Sequence, residues 1–392
     1  MEPKSIFSLF GCIVLASILG SSVVLADESL AVAPVFGDHM VLQRDMRLPV
    51  WGTAKAGAVV IVSFGKQSHT AKARRDGQWR VVLDPLEASS NPGEMKVDSG
   101  STRLKFEDVL VGEVWLCSGQ SNMQFKLSSC ADAEAEITSA THPNLRLNTN
   151  EGWIASSPES VPGFSGVAYF FGRKLQAETG VPVGLIVRAL GGTPVEWWTP
   201  QEKIGRVGYA KEVLAKPSEK WVQYEQAVAE WKERTKVEGR KDAGKKPEAP
   251  GSAEELVLAS IYAPSKVGSL YAQHLAQLAG YGIRGATWYQ GERNSKAGVE
   301  ASNAYRALLA NMITSWREEW GQGDFPFLVV QLPTFSGGGE GWAIVQKAQA
   351  AAVGDVANAA YIDLSDQPDD GLHPKNKKPV GERLADLALR GF

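Results

Sequence analysis

Short runs of alternating apolar and polar residues fill the first quarter of the chain. Residues 59–64 and 79–83 have the length and pattern of strands, and glycine and proline residues separate such runs. Asp76-Gly77, just before the second run, predicts a hairpin turn because glycine accepts a positive φ. The pattern holds from about residue 32 to 108 and predicts a small all-β sandwich.

After residue 108 the pattern changes to strands that alternate with helices. A largely apolar run at 109–117 is typical of a buried parallel strand. The later strand patterns lie at 183–187, 286–289, 327–331 and 360–363, and the helical patterns at 170–179, 270–279, 304–316 and 346–353. This alternation predicts an α/β domain with a mainly parallel sheet, whose active site lies at the carboxyl ends of the strands.

The length of 392 residues exceeds what one compact core usually absorbs, so two domains are expected. We place a β-sandwich domain at 27–108 and the α/β domain at 109–392. Residues 232–255 are rich in Lys, Glu, Gly and Pro. Because such a segment buries little apolar area, we predict a mobile polar insertion there.

The N-terminus has the pattern of a signal peptide. Lys4 precedes an apolar run at 6–25, and Val24-Leu25-Ala26 supplies small residues at the spacing of a cleavage site. The alternative is a membrane anchor, which the Ser, Gly and polar exit residues disfavour. We predict a signal peptide at 1–26 and an exported protein, periplasmic or secreted, without stable membrane insertion after cleavage.

Charge and cysteine content limit the kinds of partner and cofactor that the chain is expected to bind. The net charge is −3, and no stripe of basic residues interleaved with aromatics is present, which predicts no nucleic-acid partner. No Cys/His cluster has zinc spacing, so neither a metal nor another cofactor is predicted. Cys12 leaves with the signal peptide. Cys117 and Cys130 remain, either as a disulfide or as buried free thiols.

The strongest local motif is the run at 114–123. A strand leads into Gly119, and Ser121 follows where a helix should begin. This geometry lifts the hydroxyl above the sheet edge and directs backbone N–H groups toward a nearby oxyanion. A serine nucleophile needs a base. The competing interpretation is that Ser121 only caps the helix.

One of five histidines is the best candidate for that base. His373 comes directly after the last predicted strand, and Asp370 stands three residues before it. In a tight loop this spacing lets Asp370 accept the imidazole Nδ1–H and turn the other ring nitrogen toward serine. A surface His–Asp pair is the alternative, and the position after the strand favours function.

Two further loops also follow predicted strands. The loop at 190–194 carries Gly191-Gly192, which allows a ligand to approach the backbone closely. The loop at 289–294 carries amide side chains that donate hydrogen bonds. Four such loops at four strand ends predict an acyl-transfer site with donors for an oxyanion.

Together these segments resemble a known family. The Gly-Gln-Ser-Asn-Met run at 119–123, the Tyr-Gln-Gly-Glu run at 289–292, and the segments 163–172 and 373–384 are similar to the bacterial sialate O-acetylesterases of the SGNH-hydrolase superfamily. The resemblance extends to the β domain at 36–44. It implies a flavodoxin-like hydrolase domain that removes acetyl groups from sugars without a metal.

The resemblance also implies roles for residues. Ser121 is the expected nucleophile, His373 the base and Asp370 the orienting acid. The expected oxyanion hole consists of the N–H of Ser121, Gly192, and a side-chain amide from Gln290 or Asn294.

Four residues are candidates for substrate binding: Gln120, Gly191, Glu292 and Trp197. Glu292 is expected to be structural, hydrogen-bonded beneath the site. Several positions depart from the family pattern, and two of them lie in the loops at 190–194 and 289–294. Arg293 stands where a small residue is common, and Leu190 where tryptophan often precedes the glycines. These changes put the shape of the substrate pocket in question more than the chemistry.

Two rival functions stay open at this point. The same motifs serve an acetylxylan esterase or another polysaccharide acetylesterase equally well. A carbohydrate-binding protein without catalysis is the rival of a different class, which the intact Ser121, Asp370 and His373 disfavour. The expected partner is an O-acetylated carbohydrate, and the sequence leaves the oligomeric state open.

Overall fold

The computed structural model describes residues 30–215, 219–238, 245–368 and 371–391. The predicted signal peptide at 1–26, Cys12 and Asp370 lie outside the described residues.

The structure consists of strands in its first part and of strands that alternate with helices after it, with further elements that the pattern did not predict. The strands are β1 (Ala31–Val32), β2 (Val41–Gln43), β3 (Leu48–Thr53), β4 (Val59–Phe64), β5 (Gln67–Lys72), β6 (Gln78–Leu83), β7 (Ser89–Ser99), β8 (Thr102–Gly119), β9 (His142–Thr149), β10 (Gly152–Ser156), β11 (Val183–Ala189), β12 (Gly285–Tyr289), β13 (Phe327–Val330) and β14 (Ala359–Ile362). The helices are α1 (Ser121–Gln124), α2 (Ala133–Thr138), α3 (Gly166–Thr179), α4 (Gly208–Ala215), α5 (Glu219–Glu238), α6 (Ala253–Ile261), α7 (Val299–Trp320), α8 (Gly339–Gly354) and α9 (Lys378–Leu389).

Six of the first seven strands form antiparallel pairs in two groups, and β2 instead pairs parallel with β8. β3 lies between β1 and β6 in a three-stranded sheet, whereas β4 pairs with β5 and β7. The predicted hairpin at Asp76-Gly77 is therefore wrong, because β5 and β6 belong to different sheets. Gly77 does adopt φ +78 and forms a turn with Arg74. Turn chemistry governs the local bend, while the choice of partner strand depends on distant residues.

β8 connects the two halves of the chain. Its first part pairs antiparallel with β7, and its second part lies between β11 and β12, parallel to both. Burial changes accordingly, from half-exposed alternation at 102–108 to complete burial at 109–119. A sheet covered on both faces needs such a continuous apolar strand. The boundary that we predicted between 108 and 109 falls within this strand, at the point where burial changes.

The second half contains the parallel sheet that positions the site. Its strands run in the order β9-β11-β8-β12-β13-β14, all parallel, and β10 adds an antiparallel edge strand beside β9. α3 packs against α9, and α7 against α8. The prediction of the α/β class is confirmed in this coarse form, as mixed α/β with a large mixed sheet. All carboxyl ends of the parallel strands lie at one edge, so the loops that follow them meet there.

Two segments differ from the predicted pattern. The helix expected at 270–279 is a single π-helical turn at Tyr271–Leu275. The segment 232–255 begins within α5 and ends within α6, whose first turn is held by a capping box between Ser252 and Glu255. Its mobility stays a prediction. Across the described parts of the chain, no helix has both the length and the apolar character needed to cross a bilayer.

Candidate active site

Ser121 stands at the first position of α1, immediately beyond the end of β8. Gly119 has φ +144, and a Cβ on it would lie 2.1 Å from the carbonyl oxygen of Tyr289. Only glycine fits this backbone, which allows the N–H of Gln120 to donate to Tyr289 at 2.9 Å. The tight turn leaves Ser121 half-buried at the carboxyl edge of the sheet, as the motif predicted.

His373 meets Ser121 across 252 residues of sequence. Its Nε2 lies 2.8 Å from Ser121 Oγ, within hydrogen-bond distance. The residue is exposed, but the ring of Phe125 stacks on the imidazole, with centroids 6.4 Å apart at 28°. Partial burial of the ring, followed by the positive charges of Lys377 and Lys296, lowers the pKa of His373 below its ordinary 6.5. A neutral imidazole is the form that accepts a proton from serine.

The partner of the other ring nitrogen is not among the described residues. Within 30–215, 219–238, 245–368 and 371–391, the one hydrogen bond of the His373 ring is with Ser121. Asp370, the predicted orienting acid, lies outside these ranges.

The loop after β11 lies against the serine. A Cβ on Gly191 would be 3.3 Å from the Ser121 Cβ, and the N–H of Gly191 donates to Gln124 Oε1 at 2.9 Å. Gly192 is exposed with φ +73 and has open space around it. Among the described residues, the N–H groups of Ser121 and Gly192 donate to no acceptor. Two backbone donors thus stay available near Ser121.

The two predicted side-chain donors are engaged elsewhere. Gln290 Nε2 donates to Asn294 Oδ1 at 2.8 Å and to the carbonyl of Thr193 at 3.1 Å. Asn294 Nδ2 donates to Glu196 Oε2 at 2.9 Å, and all these groups are buried. In this arrangement both amides hold the β11 and β12 loops together. The side-chain amide that comes near the nucleophile is that of Gln120, whose Nε2 is 3.4 Å from Ser121 Oγ.

Two of the substrate-binding candidates lie away from open space. Glu292 is 2% exposed, and its Oε1 accepts a hydrogen bond from Asn122 at 2.6 Å. Burial raises the pKa of its carboxyl group. Trp197 is half-buried, its Nε1 donates to the carbonyl of Ile261, and Lys266 lies over its ring at 5.6 Å. Glu292 therefore supports the site from beneath, whereas Trp197 contacts the end of α6 and the segment that follows it.

Sequence reasoning missed Lys377. It follows His373 in a polar run that reads as solvated, yet its side chain is 1% exposed and its Nζ donates to Asn122 Oδ1 at 2.5 Å. Its ammonium also lies over the rings of Phe125 and Tyr289, at 4.9 and 5.5 Å from their centroids. No local pattern indicated this burial.

The described residues contain no group of three His, Cys, Asp or Glu side chains placed to hold a metal ion. Cys117 and Cys130 are free and buried, so the alternative of a free thiol holds for both. Burial raises the pKa of Cys117 to about 12 and that of Cys130 to about 11, which leaves both thiols protonated and weakly reactive.

Comparisons with known proteins identify relatives of this chain. The family model described as a carbohydrate esterase, sialic acid-specific acetylesterase, matches residues 111–240 and 260–390. Sialate O-acetylesterases of Pongo abelii and Homo sapiens are 27% and 26% identical to the chain, each over 92% of it and 71% of their own length. A crystal structure of a carbohydrate acetylesterase from Xanthomonas citri superposes with a TM-score of 0.71 at 29% identity, covering 92% of this chain and 74% of that one.

The family model covers well over half of the chain and includes every loop of the site described above. The chain therefore belongs to the sialic acid-specific acetylesterase family of carbohydrate esterases, a family of carboxylic-ester hydrolases.

Proposed function

We propose that this protein hydrolyses acetyl esters on sialate-type sugars through a serine nucleophile. Ser121 Oγ attacks the acetyl carbonyl while His373 Nε2 takes the hydroxyl proton, and the protonated imidazole then returns it to the leaving sugar hydroxyl. Water, deprotonated by His373, then attacks the acetyl-serine, and the imidazolium returns this proton to Ser121 Oγ as acetate leaves. The observation that carries this proposal is the 2.8 Å contact between Ser121 Oγ and His373 Nε2.

The developing oxyanion needs donors that are present before reaction. The N–H groups of Ser121 and Gly192, which donate to nothing among the described residues, supply them in our proposal. Gln290 and Asn294 then act by holding the loops after β11 and β12 together. Asp370 is the proposed acid that orients His373, because a separation of three residues lets its carboxylate reach Nδ1.

We also propose that the catalytic half is a flavodoxin-like domain of the SGNH type. In support, the five strands β11-β8-β12-β13-β14 run parallel in chain order 2-1-3-4-5, and Ser121 follows the strand at which this order reverses. The antiparallel pairs formed by β1 and β3 to β7 support a β-sandwich domain at 27–108 before it. The sequence pattern at 1–26 supports export to the periplasm or medium.

The sugar is decided by comparing acetate release from O-acetylated sialic acid and from acetylxylan. We expect kcat/KM to be higher for the sialate ester by about 10-fold or more, the scale on which pocket contacts discriminate between substrates. A preference for acetylxylan would support the polysaccharide esterase instead. Glycan binding without acetate release from either would support the binding-protein alternative.

Arg293 is the feature of this chain that favours an acidic sugar. Its guanidinium is half-buried, donates to Ser260 Oγ at 2.5 Å, and has no carboxylate partner among the described residues. Burial lowers the pKa of this group, a cost that a substrate carboxylate would offset. Its backbone N–H donates to Gln120 Oε1 at 3.2 Å, next to Ser121.

We therefore expect Arg293→Ser to lower kcat/KM for O-acetylated sialic acid by about 10- to 100-fold, as loss of a charged hydrogen bond does. Hydrolysis of p-nitrophenyl acetate, which has no carboxylate, should change by less than about 3-fold. Arg293→Lys, which keeps the charge, serves as the comparison. Equal losses on both substrates would assign Arg293 a structural role.

The pKa of His373 sets the pH dependence. The imidazole must be neutral to act as base, so kcat/KM is full above its pKa and falls as pH decreases through it. Because this pKa is below the ordinary 6.5, we expect activity to persist to a lower pH than an unperturbed histidine allows. A kcat/KM profile from about pH 4.5 to 8 measures this. A midpoint above 6.5, or no decline in this range, would contradict the assignment.

A further inference from the structure

Asn122, the residue after the nucleophile, is fully buried and makes hydrogen bonds from both ends of its side chain. Oδ1 accepts from Lys377 Nζ at 2.5 Å. Nδ2 donates to Glu292 Oε1 at 2.6 Å and to the carbonyl of Leu372 at 3.0 Å. One carboxamide thus joins the start of α1, the loop after β12 and the loop that precedes α9.

The two charges at its ends determine which way the carboxamide points. Lys377 and Glu292 are 1% and 2% exposed, and buried charges are tolerated only when paired or hydrogen-bonded. The Lys377 ammonium lies at the acceptor end of Asn122, and an acceptor oxygen of the Glu292 carboxyl group lies at the donor end. A flipped amide would place its N–H groups against the ammonium and its oxygen against the carboxylate. The second N–H of Asn122 is therefore held on Leu372.

Leu372 is the residue before His373, so this bond ends at the peptide that carries the base. On its other side, the imidazole is stacked on Phe125, over whose ring the Lys377 ammonium lies at 4.9 Å. We propose that Asn122, oriented by Glu292 and Lys377, is a positioning residue that holds His373 against Ser121. This inference rests on the proposed function, because it assigns a role within that reaction.

The same network affects the charge state of the base. After partial burial, the charges that lower the pKa of His373 are those of Lys377 and Lys296. Lys296 is exposed and screened by solvent, whereas Lys377 is buried. The buried charge of Lys377 therefore favours the neutral form of the His373 imidazole.

The first test is Asn122→Ala, assayed on p-nitrophenyl acetate. We expect kcat to fall by about 10- to 100-fold, the usual cost of losing a supporting hydrogen bond, with KM within about 2-fold. Asn148→Ala is the matched control, because Asn148 is also buried and accepts from a buried cation, Arg188, at 2.8 Å, but does not contact the His373 loop. A folded Asn122→Ala protein with the kcat of the control would overturn the proposal.

The second test is the acid limb of the kcat/KM profile. Lys377→Met should move its midpoint to higher pH, because a positive charge near the imidazole is lost, whereas Lys377→Arg should leave it near the wild-type position. If Lys377→Met alone does not fold, Lys377→Met/Glu292→Gln replaces it, because this pair removes both ionisable groups that flank Asn122. If Asn122→Ala does not fold, the acid limb of the Lys377→Met profile decides the test. A midpoint equal to that of the wild-type protein would reject the proposed network. Inactivity of the wild-type protein would instead reject the proposed function.

Discussion

Ser121→Ala is expected to lower kcat on p-nitrophenyl acetate by about 10,000-fold or more, because no other hydroxyl replaces the nucleophile. The protein should stay folded. Ser121 is half-buried, so its truncation opens no large cavity, and among the described residues the one buried donor that loses its hydrogen bond is Gln120 Nε2, at 3.4 Å from Ser121 Oγ. Acetate release and a thermal melt measure the two effects.

Two controls sharpen this result. Ser128→Ala removes an exposed serine from the turn after α1 and should retain full activity. Ser121 and His373 act as one unit in the proposed mechanism, so His373→Ala should cost nearly as much as Ser121→Ala, and the double variant should be no worse than either. Additive losses, or turnover that survives in Ser121→Ala, would show that another group carries the reaction.

Gly119→Ala is expected to have the largest effect on stability. The added Cβ would lie 2.1 Å from the Tyr289 carbonyl oxygen, at a φ of +144 that L residues rarely adopt. Relief of this clash requires β8 and β12 to separate where their loops form the site. We expect the free energy of unfolding to fall by about 3 kcal/mol or more, and acetate release to be lost with it.

The comparison variant is Gly321→Ala. Gly321 ends α7 with φ +63, and a Cβ there meets nothing within 4 Å. Gly321→Ala should lower the free energy of unfolding by about 1 kcal/mol, because only the unfavourable positive φ of the new residue opposes it. Urea unfolding measures the free energy of unfolding of both variants, and the difference between their losses gives the contribution of the steric clash. Equal losses would show that the close approach of Gly119 to Tyr289 contributes nothing.

The candidate site was predictable to the extent that its chemistry lies in short motifs. A strand that runs into Gly-Gln-Ser-Asn-Met, and a histidine after the last strand, led to Ser121 and His373, and the structure brings the two side chains together. The parallel sheet accounts for this success, because the carboxyl ends of its strands meet at one edge. The catalytic roles themselves are still predictions.

The partners of the buried polar groups were not predictable. Lys377 lies in a run that looks solvated, and its burial depends on Asn122, 255 residues earlier. A side-chain amide of Gln290 or Asn294 was expected at the oxyanion, and in the structure Gln290 donates to Asn294 and Asn294 donates to Glu196. Such hydrogen bonds join residues from separate loops, and no local pattern encodes which loop lies against which.

By itself, the sequence determined the strand and helix periods, the α/β class, the loops that carry chemistry and the resemblance to a family. These follow from side-chain periodicity and motif spacing, which are local properties. Only the tertiary structure decided that β8 continues through both halves of the chain, that β5 and β6 belong to different sheets, and that a buried Lys–Asn–Glu network lies beneath the base. Those outcomes depend on which segments, distant in sequence, pack against each other. Packing of apolar surfaces and the hydrogen bonding of buried polar groups determine this choice.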